Sequence, residues 1–418
     1  MHILFLSDNF PPEGNAPATR TYEHAIRWVK MGHKVTVITG APNFPEGKVF
    51  AGYKNSWYSR EQVGGIDVVR VKTYITANEG FLKRILDYLS FMVTGFIAGC
   101  LQKKPDIVVA TSPQFFCACA GWLLSVVRRK KFIFELRDLW PASITAVGAM
   151  NKSKVIALLE QLEMFLYRRA DRIITVTHTF RNELIDRGID GSKIDVVLNG
   201  VDLDRYQPVR EKDAELAVQF QLENKFVIGY LGTHGMAHAL DKVALAAEKL
   251  RHRDDIVFLF AGGGAAREQL AGMVKEKRLN NVLMLERQPK EIMPRLWSLC
   301  DLSLIPLKNS PLFATVIPSK LFESMGMGLP VLMSVPKGEA TDIVSQTGCG
   351  IVIEPEIPEQ LARSIEQLAS DPTAMAKLKQ ASFAAAPLYS RDLLAEKMLN
   401  SFSSDTISTD DRSVGNTL

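Results

Sequence analysis

The chain has 418 residues, 47% hydrophobic and 23% charged, with a net charge of +4 and a pI near 8.6. That length favours two domains of ordinary size over one. The mild charge balance does not resemble a nucleic-acid-binding chain, and it leaves an anionic substrate or a membrane surface open. Five cysteines, Cys100, Cys117, Cys119, Cys300 and Cys349, show no framework spacing and read as reduced thiols of a cytosolic protein. Cys117 and Cys119 lie in the apolar run Phe-Phe-Cys-Ala-Cys-Ala-Gly-Trp, which favours buried thiols over half a metal site.

In chain order, short β-branched runs alternate with helix-length segments. Ile3–Leu6 opens the series without a basic n-region or cleavage site, so a signal peptide is not expected. Lys34–Ile38, Asp67–Val71, Ile107–Ala110, Lys131–Phe134, Arg172–Val176 and Asp195–Leu198 read as further strands of one sheet. After Asn199-Gly200-Val201-Asp202 a second series runs through Phe226–Leu231, Ile256–Phe260, Asn281–Leu285, Leu302–Ile305, Val331–Met333 and Ile351–Ile353. Continuous apolar strands with intervening helices imply parallel sheets covered on both faces. The expected architecture is α/β: two doubly wound, Rossmann-like domains facing a cleft, with ligands at the carboxyl ends of the strands. The expected boundaries are 1–200 for the first domain, joined by a C-terminal helix at 385–402, and 201–384 for the second. The Ser/Thr/Asp-rich end, 403–418, reads as a disordered tail.

Two apolar stretches, Tyr88–Leu101 and Phe115–Val127, are too short to span a bilayer. Lys83, Arg84, Lys103 and Lys104 flank the first, and Arg128, Arg129, Lys130 and Lys131 follow the second. Segments 83–104 and 113–131 therefore read either as helices buried against the sheet or as contact with the inner leaflet of a membrane.

The segment from Ile317 to Leu332 carries the most chemistry. Pro318 opens a short helix, Glu323 lies near its start, and Gly326 and Gly328 end it before the strand at Val331. The Glu323 carboxylate can accept two hydrogen bonds from paired sugar hydroxyls. The alternative is a first-turn Glu favoured by the helix dipole. Lys320, one turn earlier, can offset diphosphate charge or stand as a solvated surface lysine.

Gly232-Thr233-His234-Gly235 follows a strand and precedes a helix, so its glycines permit close approach to phosphate while Thr233 and His234 add donors. An ordinary tight turn competes with that reading. Gly262-Gly263-Gly264 follows the next strand and has a similar position, with Gly263 at its centre. In the first domain Arg137 can neutralise diphosphate, and Asp138 can orient or deprotonate an acceptor hydroxyl or else cap a helix before Pro141. Gly14 and Asn15, after the first strand, can bring amides to a leaving phosphate or form a plain loop. Asp202 and Asp204 have Asp-x-Asp spacing but belong to the hinge, so no metal is expected.

Three segments in order carry a family resemblance. They are Asn9-Phe10-Pro11-Pro12-Glu13-Gly14, the hinge Asn199-Gly200-Val201-Asp202, and Ser319-Lys320-Leu321-Phe322-Glu323-Ser324-Met325-Gly326-Met327-Gly328-Leu329-Pro330-Val331. Together they resemble glycosyltransferase family 4, of GT-B fold and retaining mechanism. Asp138-Leu139-Trp140-Pro141 and Gly232-Thr233-His234-Gly235-Met236-Ala237-His238 resemble more narrowly the WbuB-like branch of bacterial surface-polysaccharide transferases.

The resemblance implies transfer of a sugar, such as N-acetylfucosamine, from a UDP-linked donor to a lipid-linked or glycan acceptor in O-antigen or capsule synthesis. It implies no cofactor, no nucleic-acid partner, and a cytoplasmic or peripheral inner-membrane location. It gives Ser319, Lys320 and Glu323 to the donor, and places Arg287 where relatives hold base and diphosphate. Two departures stand out. Thr315 occupies the place of the first acid of the family's acidic pair, and Gly229-Tyr230-Leu231-Gly232-Thr233 lacks the usual phosphate-clamping Arg. A UDP-sugar 2-epimerase of the same architecture and a non-catalytic nucleotide-binding scaffold are the competing functions.

Overall fold

The computed structural model describes residues 1–44, 46–76, 81–112, 114–139, 154–208 and 211–403. The chain divides into two compact units. One holds residues up to Leu198 together with the segment from Asp392, and the other runs from Asn199 to Arg391.

The first unit is an eight-stranded sheet. Its strands are β1 His2–Leu6, β2 Lys34–Gly40, β3 Tyr58–Val63, β4 Ile66–Val71, β5 Ile107–Thr111, β6 Lys131–Leu136, β7 Arg172–Thr175 and β8 Ile194–Val196, in the order β3-β4-β2-β1-β5-β6-β7-β8. Strands β1, β2, β5 and β6 are buried along almost their whole length, as their unbroken apolar runs require.

The strand β3 departs from the all-parallel expectation. It pairs antiparallel with β4, Val63 opposite Ile66, through a two-residue turn in which Gly64 (φ +60°) and Gly65 (φ +85°) both take positive φ. Its sequence, Tyr-Ser-Arg-Glu-Gln-Val, is polar because the strand forms an exposed edge.

Helices cover both faces of this sheet. Helix Ala16–Lys30 starts where Asn15 Oδ1 accepts the Ala18 N–H at 2.9 Å, and helix Phe115–Arg128 where Gln114 Oε1 accepts that of Cys117 at 2.5 Å. Helix Phe81–Leu101 lies so close to the latter that a Cβ on Gly99 would stand 2.5 Å from Leu124 Cδ2. On the opposite face the C-terminal helix Arg391–Ser403 packs Leu394, Ala395, Met398 and Phe402 into the core beside Trp28. Trp28 Nε1 donates to the Ala395 carbonyl at 2.9 Å.

The second unit is a six-stranded parallel sheet of β9 Phe226–Leu231, β10 Ile256–Ala261, β11 Val282–Leu285, β12 Leu302–Pro306, β13 Val331–Ser334 and β14 Gly350–Ile353. The order is β11-β10-β9-β12-β13-β14. The helices that bear on the site are Leu240–Lys249, Arg267–Glu276 and Lys320–Gly326.

Of the cysteines, Cys117, Cys119, Cys300 and Cys349 are buried, Cys100 is partly buried, and all five are free thiols. Burial pushes the Cys119 thiol up to about 12. The expected tail beyond Ser403, the Trp140-Pro141 part of the first-domain motif, and Pro113 of the second apolar stretch lie outside the described residues.

Candidate active site

In the second unit the topology reverses at β9, which has β10 on one side and β12 on the other. In open α/β sheets ligands lie outside the carboxyl ends of the strands at such a point. Two loops end there, Gly232–Gly235 after β9 and Gly262–Gly264 after β10. They are joined by backbone bonds: Gly232 N–H to Ala261 O at 2.8 Å, His234 N–H to Gly263 O at 2.9 Å, and Ala266 N–H to His234 O at 2.9 Å. At Gly262, φ is +152° and a Cβ would stand 1.8 Å from Gly232 O, so only glycine fits.

Lys320 comes against this pair of loops. A Cβ on Gly232 would lie 2.7 Å from Lys320 Cε, and Lys320 Nζ stands 4.7 Å from the centre of the Tyr230 ring. Burial lowers the lysine's pKa to about 8, and the carboxylate of Glu323 opposes that shift. Glu323 is partly buried one turn along the same helix. Ser324 ties the helix to the sheet, its Oγ lying 2.6 Å from Ser303 Oγ in β12 and 2.7 Å from Lys320 O. The Tyr230 hydroxyl donates to Thr233 O at 2.5 Å, bracing the first loop from below.

The loop's two polar side chains part company. Thr233 is exposed, whereas His234 is completely buried, its ring 5.7 Å from that of Tyr230 and 6.1 Å from that of Phe260. The expectation that His234 adds a donor alongside Thr233 is corrected accordingly. Its main-chain N–H is spent on Gly263, and both ring nitrogens are enclosed with no hydrogen-bond partner among the described residues. Burial, with Arg267 and Lys320 nearby, lowers its pKa to about 4. Burial and Lys320 bring His238 to about 4 as well. Both imidazoles are neutral at pH 7.

Ser319 and Arg287 are exposed, Arg287 with its Cβ beside Gly263. Arg267 is instead the arginine engaged with the second loop, its Nε donating to Gly262 O at 3.1 Å while it pairs with Glu286 at 2.8 Å. Thr315 ends the short helix Pro311–Ala314, and its hydroxyl donates to Leu312 O at 2.8 Å.

In the first unit the same reversal occurs at β1, between β2 and β5. Asn15 caps the helix that follows, and its Nδ2 donates to Asn9 Oδ1 at 2.5 Å, while Gly14 is exposed. Glu13 is buried under this loop, accepting the N–H groups of Asn43 and Phe44 at 2.9 Å and of Phe10 at 3.3 Å. Burial raises its pKa, against those amides. Burial, with Asp87 and Glu13 adding to it, pushes Asp8 well above the usual carboxylate range.

Arg137 and Asp138 leave the end of β6 with both main-chain N–H groups aimed at Ser112 Oγ, at 2.7 and 3.3 Å. Ser112 lies at the end of β5, and its own N–H donates to Glu135 O at 3.0 Å. Glu135 is fully buried and pairs with Arg20 at 2.7 Å. Burial disfavours its charge, yet Arg20 and Arg137 outweigh burial and hold the carboxyl below its usual range. The sequence reading did not single out Ser112, Asp8 or Arg20. Their position at the reversal point is a property of strand order.

Comparison with known proteins adds the identity. The profile of Glycosyltransferase Family 4 matches residues 17–205, and that of Glycosyl transferases group 1 matches residues 211–384. The chain belongs to glycosyltransferase family 4. Among relatives of this transferase is WcaI of Escherichia coli (strain K12), named as a colanic acid biosynthesis glycosyl transferase. It is 28% identical over 378 residues, which is 88% of this chain and 92% of WcaI. TuaH of Bacillus subtilis (strain 168), named for teichuronic acid biosynthesis, is 27% identical over 50% of this chain and 52% of TuaH.

Solved structures share the transferase's fold. Sucrose-phosphate synthase from Thermosynechococcus elongatus superposes with a TM-score of 0.75 at 15% identity, covering 96% of this chain and 98% of that one. Anabaena Alr3699/HepE in complex with UDP and glucose does so at 0.68 and 17% identity, covering 96% and 99%. WaaG, a glycosyltransferase involved in lipopolysaccharide biosynthesis, does so at 0.66 and 16% identity, covering 96% and 100%.

Within this family 4 transferase, Gly232, His234, Gly263 and Lys320 converge at the reversal point of the second sheet, with Glu323 next along the helix. Thr233, Ser319 and Arg287 lie at exposed positions on the same unit. Arg137, Asp138, Gly14 and Asn15 stand on loops at the carboxyl ends of β6 and β1 in the first unit. Among the described residues no group of three or more His, Cys, Asp or Glu side chains is placed to hold a metal ion.

Proposed function

We infer that this transferase moves a glycosyl group from a UDP-linked sugar to a lipid-linked saccharide during assembly of a bacterial surface polysaccharide. The observation that carries the donor half is the pairing of Lys320 and Glu323 on one helix beside two glycine loops that exclude side chains. Glu323 accepts the ribose hydroxyls, Lys320 meets the diphosphate, and the Gly232 and Gly263 backbones border it. Thr233, Ser319 and Arg287 supply outer donors. Negative charge grows on the leaving diphosphate as the glycosidic bond breaks, and fixed cations stabilise it without a metal.

On the first unit, Asp138 takes the acceptor hydroxyl's proton or orients it, and Arg137 contributes positive charge, both held by Ser112. Gly14 and Asn15 border the same reversal point. The anomeric configuration is retained. The names of WcaI, TuaH and WaaG support a polysaccharide product, and the UDP complexes of HepE support uridine.

A thermal-shift panel of nucleoside diphosphates, followed by product analysis with UDP-sugars and a lipid-diphosphate saccharide, tests this reading. Stabilisation by UDP and formation of a disaccharide lipid with retained configuration are expected. Protection by other nucleotides alone would sink the uridine assignment, and an inverted product would sink retention.

A further inference from the structure

The rim at the carboxyl end of the first sheet carries exposed aromatic rings that the proposed chemistry leaves unused. Strands β1, β2 and β4 are parallel, so the loops holding Gly14, Phe44 and Lys72 leave the sheet at one end. Strand β3, antiparallel to β4, begins at that same end with Tyr58. Trp57, one residue earlier, is 73% exposed, Tyr74 is 47% exposed and Phe44 is 39% exposed. With the strand order β3-β4-β2-β1, these rings follow the rim from the reversal point at β1 to the edge of the sheet. Neighbouring strands lie about 4.8 Å apart, so the three steps cover about 14 Å.

Polar partners hold this rim in place. Glu13, buried beneath the first loop, accepts the Phe44 N–H at 2.9 Å, which sets Phe44 beside Gly14. The Arg70 side chain, 3% exposed, donates to Gly40 O at 3.0 Å and Pro11 O at 2.5 Å, and its guanidinium lies 4.9 Å from the centre of the Tyr53 ring. Asn55 Nδ2 donates to Thr73 O at 2.8 Å and the Thr73 N–H returns to Asn55 Oδ1 at 3.1 Å, which extends the β3–β4 pairing past the strand ends. Val71 and Thr73 are buried while Lys72 and Tyr74 are exposed, so the last two share a side. Lys72 Nζ stands 4.7 Å from the centre of the Trp57 ring, covering one face of the indole. The Tyr74 N–H donates to Ser90 Oγ at 2.7 Å.

An exposed ring held still among polar groups suits a ligand with an apolar face and a polar edge. A pyranose has both, since its C–H groups lie against a ring while its hydroxyls reach the Lys72 ammonium and the Tyr74 hydroxyl. We propose that Phe44, Trp57 and Tyr74 form a ledge of subsites for an extended saccharide acceptor. The accepting sugar lies at the β1 reversal point, and the sugars before it run along the rim toward β3. This rests on the acceptor reading above and adds acceptor length as a determinant of specificity. The ledge is continuous with the Gly14 loop through Glu13 and Phe44, and the strand beside it, Tyr-Ser-Arg-Glu-Gln-Val, is polar, which suits a hydrated glycan.

The test is calorimetric titration of the full chain with size-fractionated oligosaccharides, released by mild acid from the surface polysaccharide of the cells that make this transferase. Affinity should rise from the monosaccharide through the short oligomers and level off once the ledge is full. Trp57→Ala should weaken oligomer binding by about fivefold, and Trp57→Ala with Tyr74→Ala by about twenty-five-fold. Affinity for the monosaccharide and for UDP should stay at the wild-type value, as should the thermal melt, and Trp57→Tyr should keep most of the oligomer binding. The proposal falls if the wild-type chain binds oligomers no better than the monosaccharide, or if folded variants bind them undiminished. It also falls if Trp57→Ala weakens monosaccharide and oligomers alike, or if it dissociates a dimer or releases lipid vesicles while oligomer binding persists. Absence of all saccharide binding would sink the acceptor reading together with the ledge, whereas length-independent binding sinks the ledge alone. The UDP titration reports on the donor site separately.

Discussion

The ammonium of Lys320 stands 4.7 Å from the centre of the Tyr230 ring, although the two residues lie 90 positions apart in the sequence. That contact places a cation at the reversal point of the second sheet, on the side of the Gly232 loop. Burial brings its pKa to about 8. A diphosphate binds the protonated amine more tightly than the neutral one, so UDP affinity should be level at neutral pH and weaken as pH rises through about 8. The loss should approach tenfold per unit. Calorimetric titration across that range checks it. Lys320→Met should bind UDP weakly with that alkaline decline gone.

His234 and His238 work in the opposite pH direction. Their folded pKa values, about 4, lie below the ordinary value of 6.5, so the unfolded chain takes up more protons between those limits. Stability should therefore fall as pH drops from about 6.5 to 4 and then stop changing on their account. Melting temperature followed against pH checks the sign, and His234→Phe should flatten part of the slope.

The Arg20–Glu135 pair is wholly enclosed, and Arg20 also donates to Leu198 O at 2.8 Å and Val197 O at 2.9 Å. Removing one partner leaves a buried charge uncompensated. Arg20→Met should lower the stability of the first unit by about 3–5 kcal/mol, measured by denaturant unfolding, whereas a matched apolar replacement of both residues should cost much less.

Glycine substitutions separate the site from the scaffold. Gly262→Ala forces a Cβ to 1.8 Å from Gly232 O and should cost about 1–3 kcal/mol while weakening UDP binding. Gly272, exposed within helix Arg267–Glu276 with nothing within 4 Å of a Cβ, should gain about 1 kcal/mol as Gly272→Ala and leave binding intact. Thermal melts and UDP titrations of the two variants make the comparison.

Much of the fold is legible in the sequence because strands covered on both faces must be continuously apolar: Phe226–Leu231 reads as a strand and is one, residue for residue. Strand β3 escapes notice because an exposed edge has no such requirement, and only the Gly64-Gly65 pair hinted at its hairpin. In the site, Glu323, Lys320 and the glycine loops are visible through local spacing. The contacts of Lys320 with Tyr230, of Arg20 with Glu135 and of Ser112 with the amides of Arg137 and Asp138 are not. Each joins residues brought together by strand order, which local pattern does not encode. The burial of His234 was hidden for the same reason, since Phe260 and Arg267 come from the neighbouring strand and its following helix.

The proposed donor site rests on Glu323, and UDP titration of Glu323→Ala by calorimetry tests it most directly. If Glu323 accepts two ribose hydroxyls as proposed, the variant loses two charge-assisted hydrogen bonds, each worth about 1.5–3 kcal/mol, so affinity should fall by at least about a hundredfold while the thermal melt stays near wild type. An unchanged dissociation constant for UDP in the folded variant would show that the nucleotide is held elsewhere.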